Sequence, residues 1–176
     1  MKFNTRLAKL KDHEPIYKLY KKVSKTIGGI ARTENEIRKD YIFNNLKNSI
    51  DSGICLVIDN PDNGEIIAEI HCYKLEPSVF SHVLSELTIV VDSDFQSQGL
   101  GKVLFTSLLH MIEKTRIDIL RLELIARESN AKAINFYQKL GFKIEGRFEN
   151  RINNGTQIFE ADIPMAWFNK NFEIEY

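Results

Sequence analysis

The stretch Glu86-Leu87-Thr88-Ile89-Val90-Val91-Asp92-Ser93-Asp94-Phe95-Gln96-Ser97-Gln98-Gly99-Leu100-Gly101-Lys102 decides how this chain reads. Its apolar, β-branched start, Glu86 to Val91, predicts a strand. A polar turn follows, and Gly99 opens a helix with Leu100, Val103, Leu104, Leu108, Met111 and Ile112 on its buried stripe. The first turn of a helix exposes backbone N–H groups and the positive end of the dipole. Phosphates bind there, and glycines let an anion approach the backbone. Lys102 puts a cation in that same turn, where it disfavours the helix unless an anion lies nearby. Gln96, Ser97, Gln98, Gly99, Leu100, Gly101 and Lys102 are therefore the candidate anion cradle.

Two nucleotide patterns fail on their defining residues. A dinucleotide fold needs Gly-x-Gly-x-x-Gly, and Leu104 stands at the third glycine position. A phosphate loop needs Gly-Lys-Ser/Thr, but Gly101-Lys102 is followed by Val103, and Gln96 stands where its first glycine belongs.

Upstream of the cradle, Phe3 to Leu10 predicts a first strand. Asp12 sits where an N-cap belongs, ahead of a helix with Ile16, Leu19, Tyr20 and Val23 at helical spacing. Gly28-Gly29 breaks it. Thr33-Glu34-Asn35-Glu36 fits a capping box for a second helix running to Gly53. Ile54 to Ile58 and Glu65 to Tyr73 are strands joined through Asn63-Gly64, a hairpin signal. Downstream, Leu120 to Ile125 is a strand, and Asn130 starts a helix that Gly141 stops. Lys143 to Ile152 and Gln157 to Met165 form a last hairpin around Asn153-Asn154-Gly155. Pro164 is expected at an edge or a strand end, because it cannot donate to a ladder. The order β-α-α-β-β-β-α-β-α-β-β describes an α/β (α+β) fold, with one domain over residues 1–176.

The bulk properties narrow the partners. Lys plus Arg equals Asp plus Glu at 24 each, so the chain has no general attraction for nucleic acid or an acidic membrane. No apolar run is long enough to span a bilayer, and the first ten residues carry no signal-like apolar stretch. A soluble cytoplasmic protein, monomeric or homodimeric, is the default expectation. The two cysteines, Cys55 and Cys72, lie in apolar runs and are expected to be buried thiols. Cys72 and His71 are neighbours on a strand and point to opposite faces, so a cysteine acyl-enzyme is not expected. The four histidines are scattered without metal-ligand spacing, and no metal is expected.

A second block completes the reading. Asn130-Ala131-Lys132-Ala133-Ile134-Asn135-Phe136-Tyr137-Gln138-Lys139-Leu140-Gly141-Phe142 follows the cradle at a distance of about thirty residues. Together with Gln96-x-x-Gly99-x-Gly101, it resembles the two signature segments of the GNAT superfamily of N-acetyltransferases, [Q/R]-x-x-G-x-[G/A] and N-x-x-A-x-x-[FL]-Y-x-K-x-G-F. The element order agrees from Phe3 to Phe168.

The resemblance implies a mixed, mostly antiparallel central sheet of about seven strands flanked by helices. It implies acetyl-CoA as co-substrate. Backbone groups of Ile89, Val90 and Val91 would pair with the pantetheine arm, and the amides from Gln96 to Lys102 would hold the pyrophosphate. Asn130 would contact the pantetheine or the cofactor end near it, Tyr137 would donate a proton to the departing thiolate, and Glu86 or an ordered water would serve as base. Attack would be direct, by a primary amine of a small molecule or peptide. The alternative is a catalytically silent acyl-CoA-binding or sensor domain. The segments that would shape the acceptor site are Ile16 to Asn48 and Glu145 to Asp162; the run Glu145 to Arg151 mixes acids, bases and an aromatic and favours neither a polyamine nor a carboxylated amine.

Overall fold

A computed structural model describes residues 3–26, 30, 32–153 and 158–173. The chain clusters into two compact units, Met1–Lys74 with Thr88–Met111, and Leu75–Leu87 with Ile112–Tyr176.

In the first unit, β1 (Thr5–Leu7), β2 (Ile54–Asp59) and β3 (Ile66–Lys74) form antiparallel neighbours, and the second half of β4 (Val83–Val91) follows β3 in the sheet. Helices α1 (His13–Val23) and α2 (Lys39–Ser52) contribute Ile16, Leu19, Tyr20, Val23, Ile42 and Leu46 to a core with Cys55, Val57 and Val90. The four α1 residues recur at i, i+3, i+4 and i+7, the stripe that a helix buries. Each such side chain taken fully out of water stabilises the unit by about 1.5–3 kcal/mol.

Helix α3 (Leu100–Thr115) buries Leu104, Phe105 and Leu108 completely. Its Ser107 lies 3.1 Å from Thr5 Oγ1 on β1, whereas the neighbouring Arg6 bonds Asp12 ahead of α1. Successive strand residues point to opposite faces, so α3 and α1 cover opposite sides of this sheet.

Three expectations are refined here. The first strand is only three residues long. Asp12 precedes α1 but does not cap it; its carboxylate accepts the Arg6 guanidinium and the Lys9 amide instead. The Thr33–Glu36 capping box exists, but it closes a 3-10 turn at Glu34–Glu36, and α2 begins later, at Lys39, after the extended residues Ile37 and Arg38. Gly28-Gly29 lies outside the described residues.

Gly53 ends α2 as expected, for a reason the sequence does not reveal. A Cβ there would stand 1.9 Å from the Cys72 carbonyl oxygen and 2.6 Å from Tyr73 Cα, so β3 passes where any side chain would be. The Asn60–Gly64 connection closes with Gly64 N–H donating to the Asn60 carbonyl, 2.8 Å, and Gly64 at φ +75°.

This unit also buries a polar quartet. Glu69, 1% exposed, accepts from Tyr20 Oη at 2.7 Å and from Cys55 Sγ at 3.1 Å, and lies 2.9 Å from His71 Nδ1. Burial first, then the Glu69 charge, pushes both the Tyr20 phenol and the Cys55 thiol well up. Cys55 therefore stays a thiol at neutral pH, as a non-nucleophilic cysteine should. Cys72 is buried too.

In the second unit, the first half of β4 pairs in parallel with β5 (Arg121–Arg127) through Val83 and Leu84. The antiparallel β8 (Phe159–Phe168) pairs with β5 through seven residues. Strands β6 (Lys143–Ile144) and β7 (Phe148–Asn153) both pair with β8, at opposite ends of it. The single strand expected from Lys143 to Ile152 is thus two, and among the described residues the sheet has eight strands, in keeping with the expected mixed, mostly antiparallel sheet of about seven. Pro164 corrects a second expectation: it lies inside β8, opposite Ile125. It sits level with the gap between β6 and β7, where its carbonyl accepts from Glu145 N–H at 3.0 Å and its missing donor costs no ladder bond on that side. Trp167 and Phe168, past the Met165 end predicted for the last strand, end β8; Trp167 is buried against Gly141, and Phe168 is half-exposed beneath Arg121. Helix α4 (Ala131–Lys139) completes this unit, with Gly141 at φ +98° ending it.

Candidate active site

The cradle is built by the end of β4 and the start of α3. Asp92 N–H bonds the Ile67 carbonyl on β3 at 2.9 Å, which ties the strand end to the sheet. A 3-10 turn at Ser93–Phe95 follows, and Asp92 Oδ1 accepts the Asp94 amide at 3.0 Å. Gln96 returns to extended backbone. Ser97 then takes φ +63° and Gly99 φ +85°. Positive φ at alternate positions fits the pattern of an anion nest, in which left- and right-handed residues alternate. The first bond of the helical ladder is Val103 N–H to the Gly99 carbonyl, 3.1 Å, so the Leu100, Gly101 and Lys102 amides precede that ladder.

The turn leaves open space beside its glycines. A Cβ on Gly99 would meet no atom within 4 Å, and one on Gly101 would meet only Ile89 Cδ1, at 3.8 Å. Gln96, Ser97, Gln98 and Lys102 are exposed, while Leu100 anchors the turn in the core. Ser97 stands out as a non-glycine residue in the left-handed region, a conformation that costs about 1 kcal/mol or more and concentrates at ligand sites. Ile89, Val90 and Val91 lie in the same unit, on the part of β4 that runs into the cradle.

The remaining site residues belong to the second unit. Glu86 is exposed and has φ +53° in the middle of β4. The β4–β5 ladder consists of Val83–Arg121 and Leu84–Leu122 and ends before it, so Glu86 marks a local break of the strand. Tyr137 is half-buried on α4, its ring against Phe136 and Phe142 at centroid distances of 5.7 and 6.0 Å. Burial pushes its phenol above the usual tyrosine value, so it holds its proton throughout the neutral range. Asn130 caps α4: its Oδ1 accepts the Ala133 amide at 3.1 Å. The asparagine of the second sequence block thus has a structural task of its own. The structure therefore collects Ile89–Val91 and Gln96–Lys102 in one unit and Glu86, Asn130 and Tyr137 in the other.

The charges on and around the segment from Glu145 to Arg151 are largely paired. Arg121 bridges Glu123 and Glu145, Arg147 bridges Glu128 and Glu149, and Arg151 reaches Asp162. Sequence reading missed one neighbour of the cradle, Lys22 on α1, whose Nζ lies 2.7 Å from Asp92 and 2.6 Å from Asp94. It is seventy residues away in the chain and no local pattern announces it.

A strand, a turn with left-handed residues and a helix N-terminus in this order form an arrangement that is chemically suited to a phosphate-bearing ligand. Residues 14–142 match the model of the acetyltransferase (GNAT) family, and the chain belongs to that family. The [Ribosomal protein bS18]-alanine N-acetyltransferase of Escherichia coli (strain K12) is 48% identical over 63 residues, which cover 34% of this chain and 41% of that relative. The chain thus aligns with less than half the length of that curated relative. Among solved structures, a GNAT-family acetyltransferase from Streptococcus pneumoniae superposes with a TM-score of 0.83 at 22% identity, over 95% of this chain and 99% of its own. A phosphinothricin acetyltransferase from Sinorhizobium meliloti, solved in complex with acetyl-CoA, gives 0.80 at 16% identity, over 96% and 89%. These likenesses show that the fold is the one expected.

Proposed function

We propose that this chain transfers an acetyl group from acetyl-CoA to a primary amine by direct attack, with Tyr137 as general acid and Glu86 as base. The observation that carries the reading is the nest at Ser97–Gly99 running into the N-terminus of α3. The family's model covers residues of both units, which supports reading residues 1–176 as one functional domain.

When bound, acetyl-CoA supplies the activated acyl carbon and a thiolate leaving group. The chain's residues handle the protons. Glu86, exposed at its strand break, accepts the proton the amine must lose. Tyr137, a phenol protonated at neutral pH and pushed higher still by burial, donates to the departing sulfur. An N–C bond forms, the C–S bond breaks, and two protons are relocated without any cysteine intermediate.

The base matters according to the acceptor. At pH 7 a lysine-like amine needs about 4.6 kcal/mol to become neutral and an α-amine only about 1. The bS18-alanine acetyltransferases of enteric bacteria, which match part of this chain, make a protein or peptide α-amine the first acceptor to test. They also support a cytoplasmic setting, where ribosomal proteins are made.

The test is thiol release from acetyl-CoA against a panel of N-terminal peptides, lysine-bearing peptides and small amines. Turnover on one class, lost in Tyr137→Phe, supports the reading. Coenzyme A binding without turnover on any amine favours the sensor alternative. Stabilisation by ATP or NAD, but not by coenzyme A, would remove the acyl-CoA reading altogether.

A further inference from the structure

The donor cradle has an electrostatic problem in its own sequence. Asp92 and Asp94 stand at the root of the turn, three to five residues before the nest at Ser97–Gly99. Asp92 is only 7% exposed. Two carboxylates so close to an anion site oppose a bound phosphate, and low exposure weakens screening.

Lys22, from the last turn of α1, meets both. Its Nζ lies 2.7 Å from Asp92 Oδ1, 2.8 Å from Asp92 Oδ2 and 2.6 Å from Asp94 Oδ2. The same two residues organise the turn. Asp92 Oδ1 accepts the Asp94 amide, the Asp92 carbonyl accepts Phe95 N–H at 2.9 Å, and the Asp94 carbonyl lies 3.5 Å from the Gln98 side-chain amide. A cation gripping both acids therefore fixes the 3-10 turn that sets the direction of the amides after it. Their hydrogen bonds, Asp92 first, raise the Lys22 ammonium further above neutral pH.

We propose that Lys22 is a positioning residue for the donor site: it neutralises Asp92 and Asp94 and locks the turn that presents the Ser97–Lys102 amides to the pyrophosphate. The proposal rests on the acyl-CoA reading of the site. Lys22 acts through the cradle and not on the reacting atoms.

Titration calorimetry with coenzyme A, steady-state kinetics and amide hydrogen exchange test it. Lys22→Met should raise the Kd for coenzyme A by about tenfold. It should raise the KM for acetyl-CoA in proportion, leave kcat within about twofold, and speed exchange of the amides from Phe95 to Lys102. Lys22→Arg should stay within about threefold of wild type. Lys22→Met/Asp94→Asn should recover much of the lost affinity, because one uncompensated charge is gone; a purely structural lysine would not be rescued this way. Lys22→Gln, run alongside, tests charge with a shorter polar side chain, and circular dichroism checks every variant. Wild-type binding with unchanged binding in Lys22→Met overturns the proposal and leaves the donor reading standing. A wild-type chain that ignores coenzyme A overturns the donor reading first and this proposal with it. Unfolding of both neutral variants would show a merely structural lysine and also overturn it.

Discussion

Gly101→Asp separates the fold from the function of the cradle, because the two should move in opposite directions. Gly101 is the second residue of α3, outside the left-handed region, and a Cβ there would meet only Ile89 Cδ1, at an ordinary 3.8 Å. A carboxylate in a first helical turn favours the helix by about 0.3–1 kcal/mol. The unfolding temperature should therefore hold within about 2 °C or rise slightly. Coenzyme A binding should suffer, since the new charge stands among the amides assigned to the pyrophosphate. Two like charges 4 Å apart repel by about 1 kcal/mol in water and about 4 kcal/mol at an effective dielectric of 20. That corresponds to a loss of affinity between about fivefold and a thousandfold. Differential scanning calorimetry measures the first quantity and titration calorimetry the second, with Gly101→Asn as the neutral control of nearly equal volume. The deficit should shrink as salt rises. If Gly101→Asp bound coenzyme A within about twofold of Gly101→Asn at low salt, the pyrophosphate would not lie on these amides.

Other perturbations probe the rest of the molecule. Tyr137→Phe keeps the ring packing against Phe136 and Phe142 and should lower kcat by about a hundredfold or more, with little change in coenzyme A affinity by calorimetry. Because burial raises the Tyr137 phenol, any alkaline loss of rate due to its ionisation should appear only above about pH 10 in a pH–rate profile. Gly53→Ala must displace the β3 backbone and should cost about 3 kcal/mol or more, read as a fall of about 6–12 °C in unfolding temperature. Burial pushes Asp12 up, but the Arg6 and Lys9 hydrogen bonds outweigh it and hold its carboxyl below the usual range. Its contribution is therefore present above the unfolded value near 4 and lost as pH falls through the folded one. Arg6→Met should cost about 1–3 kcal/mol at pH 7 by urea denaturation, with the gap to wild type closing below about pH 4.

Much of the fold was legible wherever a local pattern is sufficient. The stripe of α1, the hairpin glycine Gly64 and the stop at Gly141 each follow from residues a few positions apart. The expectations that shifted are those settled by distant partners. Thr33–Glu36 makes the capping box its sequence promises, yet an extended Ile37, buried at 1% exposure, intervenes before the helix proper. Asp12 has the right type and place for a cap, but the Arg6 guanidinium takes its carboxylate. Pro164 reads as an edge residue until the separation of β6 from β7 leaves room for it inside β8.

The site divides in the same way. The order strand, Gln96-x-x-Gly99-x-Gly101, helix already predicts an anion cradle, because unpaired amides at a helix N-terminus are a consequence of helix geometry itself. The second block through Tyr137 turns that anion into a resemblance to acyl-CoA enzymes. Tertiary structure alone decided the left-handed turns at Ser97 and Glu86, the burial that raises the Tyr137 phenol, and the meeting of Lys22 with Asp92 and Asp94. The reason is physical: backbone hydrogen bonding and side-chain periodicity are local, whereas desolvation and charge pairing depend on which distant segments the fold packs together.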